Sequence, residues 1–590
     1  MKLIRLKITD PNGFRSLQAG FEYHFRKDWQ IKEEQLHSEF APFVCAGPNG
    51  SGKSNLLEAL AAIFYQLEIL RIRRNFLPET LQDTEQDDAP CSFELDYQIK
   101  IPKDFIKPGG VEWAIVSVWK EPGTSVRFHW NNQDEFETNI SEIFSGGYTE
   151  ILLPQYIVGY SSGENEILSL PFFKMRFVQY DEYWQALKEQ LPYSGTPESS
   201  LIYLDNSFSQ AILLSNLLYQ NRETLAPFRE EVGIEKLNEF RIIIKRQLTV
   251  SFEIANGFGS NNPCVKIDND NGTYKIDLAS LLEADEALQK EIKDESKRDT
   301  SNSISAYEKF APAITRLKRC ATSWFEDDST DSLYLDYCVN QATKDAFKNN
   351  FNSALDLFQA LQILLTLNLY SVSDKLKAEL YQSNSLYVGE TVPSLPSDER
   401  IMRIKNFWIN KTNIEEPVLL KSLSDGEHQL LHTLGLCLLF KNTNSLFLLD
   451  EPETHFNPQW RANFISRLRQ SFSDSHNQEM LITTHTPFLI SDSTPDKVLV
   501  FKKQDKHVSV TNPEYNTLGA SINKITMATF DKRETIGGLA QSLLSKFKTR
   551  SEETEVDKAQ LIKDINHKLG DSVEKVLLIK TILDGMEVND

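Results

Sequence analysis

Several features are scarce in this sequence, and each scarcity argues against a class of protein. The six cysteines are scattered and no two form a C-x-x-C pair, which predicts buried thiols in a reducing compartment rather than a disulfide scaffold. No apolar run approaches the roughly 20 residues that a membrane span needs, and no secretory apolar segment opens the chain. We therefore expect a cytoplasmic protein without a membrane partner.

Positive charge is also scarce. The 590 residues carry 63 Lys and Arg against 84 Asp and Glu, a net charge of −21, which argues against a protein that coats nucleic acid with its whole surface. Three local basic clusters stand out, at residues 71–74, 241–246 and 316–319. Each could bind a phosphate backbone or form an ordinary solvated face, and the sequence favours the second reading.

A glycine-rich loop between a predicted apolar strand (Phe43–Ala46) and an amphipathic helix is the clearest motif. It matches the P-loop pattern G-x-x-x-x-G-K-[ST] at every fixed position. In such a loop, backbone N–H groups and the helix N-terminus cradle phosphates, while Lys53 reaches the β- and γ-phosphates and Ser54 can ligate Mg²⁺. The predicted ATP-binding residues are Gly47, Pro48, Asn49, Gly50, Ser51, Gly52, Lys53, Ser54 and Asn55.

Three further motifs follow in the last third of the chain. Ser424 and Glu427 form an S-x-x-E capping box at the start of a predicted helix, where a hydroxyl and free N–H groups suit a γ-phosphate. Asp450 and Glu451 end a predicted buried strand, so that one can hold the Mg²⁺ shell and the other can orient or deprotonate the attacking water. His485 ends the next predicted strand and could hydrogen-bond the γ-phosphate.

Taken in this order, the four motifs resemble those of ATP-binding-cassette (ABC) ATPases, in the soluble SMC/Rad50/RecF-like branch. Residues 450–458 resemble the D-E-P-E-x-x-L-H-P loop of OLD-type and phage-defence ATPases, except that Phe456-Asn457 replaces Leu-His. Residues 13–16 are similar to the opening F-R-S element of the family. The resemblance implies an α/β fold: an ABC-type P-loop ATPase head with an antiparallel β subdomain and a mainly helical insertion.

The resemblance also implies roles for individual residues. It makes Lys53, Glu451 and His485 catalytic, and Ser54, Asp450 and Gln155 ligands of Mg²⁺. Gln155 would be the Q-loop glutamine and Arg15 a phosphate contact. ATP would lie between two chains, in a homodimer or a higher even-numbered oligomer. The signature residues that would act on the ATP of the partner are Ser424, Asp425, Gly426 and Glu427.

Four domains are predicted from the changes of pattern along the chain. An N-terminal ATPase lobe with the β subdomain spans 1–165, a mainly helical insertion spans 166–411, a C-terminal lobe spans 412–510, and a helical tail spans 511–590. Within the insertion we predict one long helix over 354–380 and one β-hairpin, with Asn271-Gly272 as its turn. The tail is either a packed helix pair or a docking element for a partner.

Function follows as an expectation from the resemblance. It implies an ATPase (ATP and water to ADP and phosphate) that acts as a switch in anti-phage defence, like the ATPases of Septu and retron-associated Septu systems. The segment after His485 has no acidic strand-end series and no His-Asn-His constellation, so we expect a separate nuclease, of the HNH type. Nucleic acid, or a retron reverse transcriptase with its msDNA, are further expected partners.

Two alternatives come from other classes of ATPase. A RecF/SMC-like protein would use the same motifs to bind DNA in repair or maintenance, and the acidic balance and the lack of an extended coiled coil count against it. A transporter ATPase is disfavoured because more than half of the chain separates Lys53 from Ser424.

Overall fold

The computed structural model describes residues 1–27, 40–71, 89–137, 151–162, 168–189, 199–258, 264–268, 273–278, 313–383, 385, 392–393, 395–472, 477–530, 536–553 and 557–587. Four sheets are found within these ranges. The strands are β1 (Lys2–Ile8), β2 (Glu22–His24), β3 (Phe43–Ala46), β4 (Phe93–Lys100), β5 (Trp113–Lys120), β6 (Arg127–Trp130), β7 (Tyr156–Ser161), β8 (Leu201–Tyr203), β9 (Ile234–Lys245), β10 (Gln247–Val250), β11 (Val265–Asp268), β12 (Thr273–Asp277), β13 (Ser323–Asp327), β14 (Ser332–Cys338), β15 (Met402–Lys411), β16 (Val418–Leu419), β17 (Ser445–Asp450), β18 (Glu479–Thr484), β19 (Val498–Gln504) and β20 (His507–Thr511).

The α-helices of the described residues surround these sheets. They are α1 (Lys53–Arg71), α2 (Ser169–Glu189), α3 (Ser209–Tyr219), α4 (Phe252–Asn256), α5 (Ala313–Cys320), α6 (Gln341–Asn350), α7 (Ala354–Thr366), α8 (Asp374–Gln382), α9 (Asp425–Leu439), α10 (Pro458–Ser471), α11 (Pro487–Ser491), α12 (Ile522–Phe530), α13 (Gly538–Ser551), α14 (Lys558–Lys568) and α15 (Val573–Glu587).

A seven-stranded sheet in the order β20-β19-β3-β18-β17-β7-β8 organises the ATPase core. Every neighbouring pair is parallel except β19 and β20. β3, β17 and β18 are buried along their whole length, because their continuous apolar runs face helices on both sides. Their carboxyl ends therefore meet at one edge of the sheet, where the predicted site residues follow.

The predicted antiparallel β subdomain is confirmed as a five-stranded sheet in the order β2-β1-β4-β5-β6. The side chains of Leu3 and Leu6 share one hydrophobic core with α1 and with the adjacent face of the core sheet. A buried ion pair joins the two sheets, since Arg26 contacts both the carbonyl of Leu3 and the carboxylate of Glu479. The subdomain is thus fixed to the strand that ends at Thr484.

The predicted insertion is less uniformly helical than its sequence indicates. Besides helices it contains β9, β13, β14 and β15, which form a second five-stranded sheet with β16 in the order β13-β14-β9-β15-β16. The register between β9 and β15 shifts three times, so the burial along β9 does not alternate and the usual strand pattern is hidden. β11 and β12 pair as the predicted hairpin, while its Asn271-Gly272 turn lies outside the described residues.

The single helix predicted over 354–380 is wrong. α7 ends at Thr366, a short 3₁₀ turn follows, and α8 begins at Asp374 with the Ser373 hydroxyl accepting from the N–H of Leu376. Ser373 therefore caps a new helix start within an otherwise apolar run. Among the described residues no single helix is long and apolar enough to cross a membrane, and this bent pair, at 107°, is the one combination that meets the length and composition test.

In the described residues the C-terminal tail forms four helices, α12 to α15, rather than a pair. α13, α14 and α15 enclose a small hydrophobic core of their own, in which Phe547, Ile565 and Ile582 are buried. Residues 531–535, between α12 and this unit, lie outside the description.

In two of the three basic clusters an arginine forms an ion pair within the fold. Arg241 on β9 lies 2.5 Å from the carboxylate of Asp336, and Arg316 on α5 lies 2.6 Å from that of Asp356. These carboxylates neutralise the cations, which favours the structural reading of both clusters. Of the third cluster, residues 72–74 lie outside the described ranges.

Candidate active site

The glycine-rich loop leaves the carboxyl end of β3 and ends at the first residue of α1, Lys53. Three of its glycines have positive φ: Gly47 (148°), Gly50 (72°) and Gly52 (101°). A Cβ on Gly47 would lie 2.5 Å from the carbonyl oxygen of Phe501, and one on Gly52 would lie 2.9 Å from Ser16 Oγ. Glycine is required at these positions because both the backbone angle and the space exclude a side chain.

The loop itself contains no acidic side chain that could pair with its polar groups. Lys53 Nζ donates to the carbonyls of Gly47 (3.0 Å) and Pro48 (3.1 Å), and burial lowers its pKa to about 8. The hydroxyl of Ser51 is buried and makes no hydrogen bond. An incoming phosphate would give both groups an anionic partner, so the loop fits the triphosphate that the motif implies.

Two predicted Mg²⁺ ligands meet although 396 positions separate them. Ser54 Oγ donates to Asp450 Oδ1 at 2.8 Å, and Thr483 Oγ1 donates to the same oxygen at 2.5 Å. Burial raises the pKa of Asp450, and these two hydrogen bonds oppose that shift. A hydroxyl beside a buried carboxylate is an oxygen donor set that suits Mg²⁺, and a bound Mg²⁺ would neutralise charge on the phosphates.

Glu451 and His485 form a close pair at the same edge. Glu451 Oε1 lies 2.7 Å from His485 Nε2, and this hydrogen bond lowers the pKa of Glu451. Glu451 has a positive φ of 47°, and its N–H donates to Thr483 Oγ1 at 3.0 Å. The sheet therefore brings together the predicted catalytic residues of two adjacent parallel strands.

The predicted capping box is present at the start of α9. The N–H of Glu427 donates to Ser424 Oγ at 3.3 Å and the N–H of Ser424 donates to Glu427 Oε2 at 2.8 Å. Glu427 also contacts Lys411 Nζ at 2.5 Å, and a Cβ on Gly426 would lie 2.7 Å from the carbonyl oxygen of His455. Ser424 and Asp425 are exposed.

α9 packs on α3 and α10. The signature residues at the start of α9 therefore contact Lys411 on β15 and lie against the carbonyl of His455, in the loop after Glu451.

Arg15 lies next to the P-loop helix, where Glu58 holds it. Its guanidinium is 2.9 Å from Glu58 Oε1, and its backbone has a positive φ of 55°. The neighbouring Ser16 donates to Asn55 Oδ1 at 2.6 Å. The turn of residues 13–16 thus supports the start of α1, and Arg15 as a phosphate contact stays a prediction.

The structure does not place Gln155 at this site, which corrects the prediction of a Q-loop glutamine and Mg²⁺ ligand there. Gln155 precedes β7, and its Oε1 accepts from the N–H of Asn444, which precedes β17. β7 and β17 are parallel and six residues long, so Gln155 lies at the opposite edge of the sheet from Asp450. The sequence prediction therefore selected a residue at the amino end of β7, whereas the site lies at its carboxyl end.

The residue that β7 contributes to the site is Ser162, which follows its carboxyl end. The N–H of Ser162 donates to the carbonyl of Asp450 at 3.2 Å, and its hydroxyl donates to the carbonyl of Glu451. Thr454 Oγ1 donates to the same Glu451 carbonyl at 2.8 Å. Thr483 and Ser162 are the functional neighbours that sequence reasoning missed, and their position after buried parallel strands is the feature that could have indicated them.

This geometry is that of a P-loop ATPase: a glycine-rich loop, a Ser54–Asp450 hydrogen bond and a Glu451–His485 pair meet at one edge of the sheet. The chain matches the AAA ATPase domain family over residues 1–490, and it therefore belongs to that family of ATPases.

Curated relatives align over short segments. "Protein ea59" of Escherichia phage lambda is 24% identical over 177 residues, which are 30% of this chain and 31% of that protein. "Retron Vc95 probable ATPase" of Vibrio cholerae serotype O1 biovar El Tor is 23% identical over 78 residues, 13% of this chain and 15% of that protein. The chain thus spans less than a third of the length of each of these relatives.

Among solved structures, the chain is similar to SMC head domains. The SMC head domain from Thermotoga maritima is 11% identical to this chain, and the alignment covers 87% of this chain and 100% of that domain, with a TM-score of 0.29. The SMC head with an extended coiled coil, bound to the C-terminal domain of ScpA from Pyrococcus furiosus, is 12% identical and covers 87% and 96%, also with a TM-score of 0.29.

Proposed function

We propose that this chain is the ATP-binding and ATP-hydrolysing switch subunit of an anti-phage defence complex, that it dimerises around ATP, and that it controls a separate nuclease. The observation that carries the ATPase proposal is the 2.8 Å hydrogen bond between Ser54 and Asp450. It joins the phosphate-binding loop to the acidic strand end, which is the arrangement that phosphoryl transfer requires.

In this proposal each residue of the site has a defined role. Lys53 exchanges its carbonyl partners for the β- and γ-phosphates, while Ser54 and Asp450 hold Mg²⁺. The hydrogen bond from His485 lowers the pKa of Glu451 and so favours its carboxylate form, which can orient the attacking water and accept a proton from it. His485 orients Glu451 and can donate to the γ-phosphate once Glu451 has moved.

The signature residues supply the reason to propose a dimer. Ser424 lies at an exposed helix N-terminus, and its hydroxyl is satisfied within its own capping box. Free N–H groups and the positive end of a helix suit an anion, and a second copy of the chain could bring its ATP there. A two-fold dimer would then contain two composite sites, each with the P-loop of one subunit and the signature of the other.

The test of the ATPase proposal is Glu451→Gln. We expect the variant to bind ATP and Mg²⁺ like the unsubstituted chain, to lose ATP turnover by two orders of magnitude or more, and to accumulate as a closed dimer in size-exclusion chromatography with ATP. Lys53→Ala serves as the control, because it should abolish ATP binding and dimerisation together. Unchanged turnover in the Glu451→Gln chain would contradict the role of Glu451.

A mixing experiment tests the composite site. Lys53→Ala chains and Ser424→Arg chains should each be inactive alone. In a one-to-one mixture the Lys53→Ala and Ser424→Arg chains can form mixed dimers, each with one intact site of two, so turnover should recover to at most about half of that of the unsubstituted protein. Recovery would require that both halves of a site come from different chains. A mixture as inactive as its components would contradict the dimer.

The defence role is supported by the short match to "Retron Vc95 probable ATPase" and by the resemblance of residues 450–458 to phage-defence ATPases. The proposed effector is an HNH nuclease encoded beside this chain, with nucleic acid or a retron reverse transcriptase and its msDNA as further partners. Co-expression with a neighbouring nuclease gene should restrict phage growth, and Glu451→Gln should alter that restriction. Strong ATP-dependent binding to duplex DNA by the chain alone would instead favour a RecF/SMC-like role in DNA maintenance.

A further inference from the structure

A cavity of about 710 Å³ opens beside the candidate active site. It lies between the carboxyl end of β7, the start of α9 and strand β15, with Ser162, Asp425 and Arg403 among its lining residues. Its volume is within the roughly 300–1,000 Å³ range of small-molecule sites. Lys53, Asp450 and Glu451 do not line it, and of the four signature residues only Asp425 does, so it is separate from the P-loop site of the same chain.

The walls of this cavity carry an excess of positive charge that the composition does not predict. Four basic side chains line it: Arg400, Arg403, Lys405 and Lys421. The acidic lining residues are Asp205 and Asp425, and Asp205 is already paired with Arg176 at 2.8 Å. In a chain with 84 acidic and 63 basic residues, such a wall concentrates a positive potential where an anion can enter.

The cations of this wall have no carboxylate to neutralise them. Within the described part of the chain, none of the four forms an ion pair. Arg400 Nε donates to the carbonyl of Leu395 at 3.3 Å and Arg403 donates to the carbonyl of Ser397. Arg403 Nε is buried and makes no hydrogen bond. An anionic ligand in the cavity would provide the charged partner that these four cations lack among the described residues.

The other lining groups suit the rest of a nucleotide. Tyr203 offers a half-buried aromatic ring, and the polar side chains of Asn206, Ser207 and Gln210 lie on the same lining. Aromatic rings stack on bases, and hydroxyl and amide groups can hydrogen-bond a sugar or a base edge. Arg and Lys side chains are the usual partners of phosphate, Arg through its bidentate fork.

We propose that this cavity binds a nucleoside phosphate, either free or at the end of a nucleic acid strand, as a second nucleotide site distinct from the P-loop. The ligand would place its phosphates against Arg400, Arg403 and Lys405.

A ligand in this cavity would also contact residues that hold the backbone of Glu451 in place. Ser162 lines the cavity and its hydroxyl donates to the carbonyl of Glu451. His455 lines it as well, and the N–H of His455 donates to Gln429 Oε1 at 2.9 Å. Binding should therefore change the rate of ATP turnover, a consequence that rests on the proposed function, whereas the binding itself does not.

The binding experiment uses the full chain with Lys53→Ala, in which the P-loop site is disabled. Equilibrium dialysis with labelled ATP, labelled AMP and a labelled 5′-phosphorylated tetranucleotide should reveal one site per chain for at least one probe. The substitutions Arg400→Gln, Lys405→Gln and Lys421→Gln, added together, should weaken that binding at least tenfold. The three side chains are exposed, so we expect the chain to remain folded.

A matched control carries the same loss of charge at a distance. Lys546→Gln, Lys548→Gln and Lys563→Gln change three exposed lysines of α13 and α14 and should leave the affinity unchanged. Tighter binding of the tetranucleotide than of AMP identifies a strand end as the source of the phosphate, and the reverse identifies a free nucleotide. The proposal is overturned if no probe binds to the Lys53→Ala chain, or if both triple variants bind equally well. Because the P-loop site is disabled throughout, a failure of the ATPase proposal leaves this result unaffected.

Discussion

Thr483→Val is the sharpest test of how the sheet organises the catalytic edge. The Thr483 side chain is fully buried and makes two hydrogen bonds: it donates to Asp450 Oδ1 at 2.5 Å and accepts from the N–H of Glu451 at 3.0 Å. Valine has nearly the same shape but no hydroxyl. The substitution therefore removes one donor from a buried carboxylate and leaves one backbone N–H without a partner.

The expected magnitudes follow from these two losses. A buried donor left unsatisfied costs about 1–3 kcal/mol, so the free energy of unfolding should fall by that amount. Glu451 is held at φ 47° partly by this bond, and a displacement of the catalytic group by roughly 1 Å costs about 100-fold in rate. Loss of a hydrogen bond should also raise the pKa of Asp450 further, so that the Mg²⁺ concentration needed for half-maximal turnover increases.

The assay is steady-state ATP hydrolysis at several Mg²⁺ concentrations, with ATP affinity measured separately. We expect kcat to fall and ATP affinity to change little, because the side chain of Thr483 bonds to Asp450 and Glu451 and not to the glycine-rich loop. Thr483→Ser keeps the hydroxyl and should retain most of the turnover. If Thr483→Val unfolded at the same denaturant concentration and hydrolysed ATP at the same rate as the unsubstituted chain, the role given to this hydroxyl would be refuted.

Two further predictions concern stability. Burial raises the pKa of Glu453 to about 7 from 4.5, so the folded chain binds this proton more tightly than the unfolded chain, and ionisation of Glu453 costs up to about 3 kcal/mol of stability as the pH rises from 4.5 to above 7. In denaturant unfolding at pH 5 and pH 8, the stability of the Glu453→Gln chain relative to the unsubstituted chain should therefore be greater at pH 8. An equal difference in stability at the two pH values would contradict this. Arg26→Met should cost about 3–5 kcal/mol because it removes the cation that contacts the buried carboxylate of Glu479, and adding Glu479→Gln should recover most of the loss in the same assay.

The parts of the site that the sequence could predict are those with a local code. The P-loop spacing and the Ser424–Glu427 capping box each involve residues within one loop or one helix turn, and both have the predicted structure. The meeting of Glu451 with His485 was also predictable in kind, because each follows a buried strand and parallel strands bring their carboxyl ends together. Such features need no knowledge of how distant segments pair.

Gln155 shows how the same rule can be misapplied. The apolar run Tyr156–Ser161 follows Gln155, so this glutamine stands at the amino end of the strand, and the site lies at the other end. Ser162 was therefore the better choice on the sequence alone.

The rest depended on long-range pairing. The strand pairs of β9, and the ion pair between Arg26 and Glu479 across 453 positions, have no counterpart in the local pattern. The shifted register of β9 even removes the alternation by which strands are found.

Glu451 is the residue where local preference and the folded structure disagree most. A glutamate rarely adopts positive φ, and such a conformation persists only where surrounding contacts determine it. Here those contacts come from three segments: Thr483 holds the N–H, while Ser162 and Thr454 hold the carbonyl. Local sequence preference is overridden at the side chain that we propose orients the attacking water, because hydroxyls from separate segments fix the backbone that carries it.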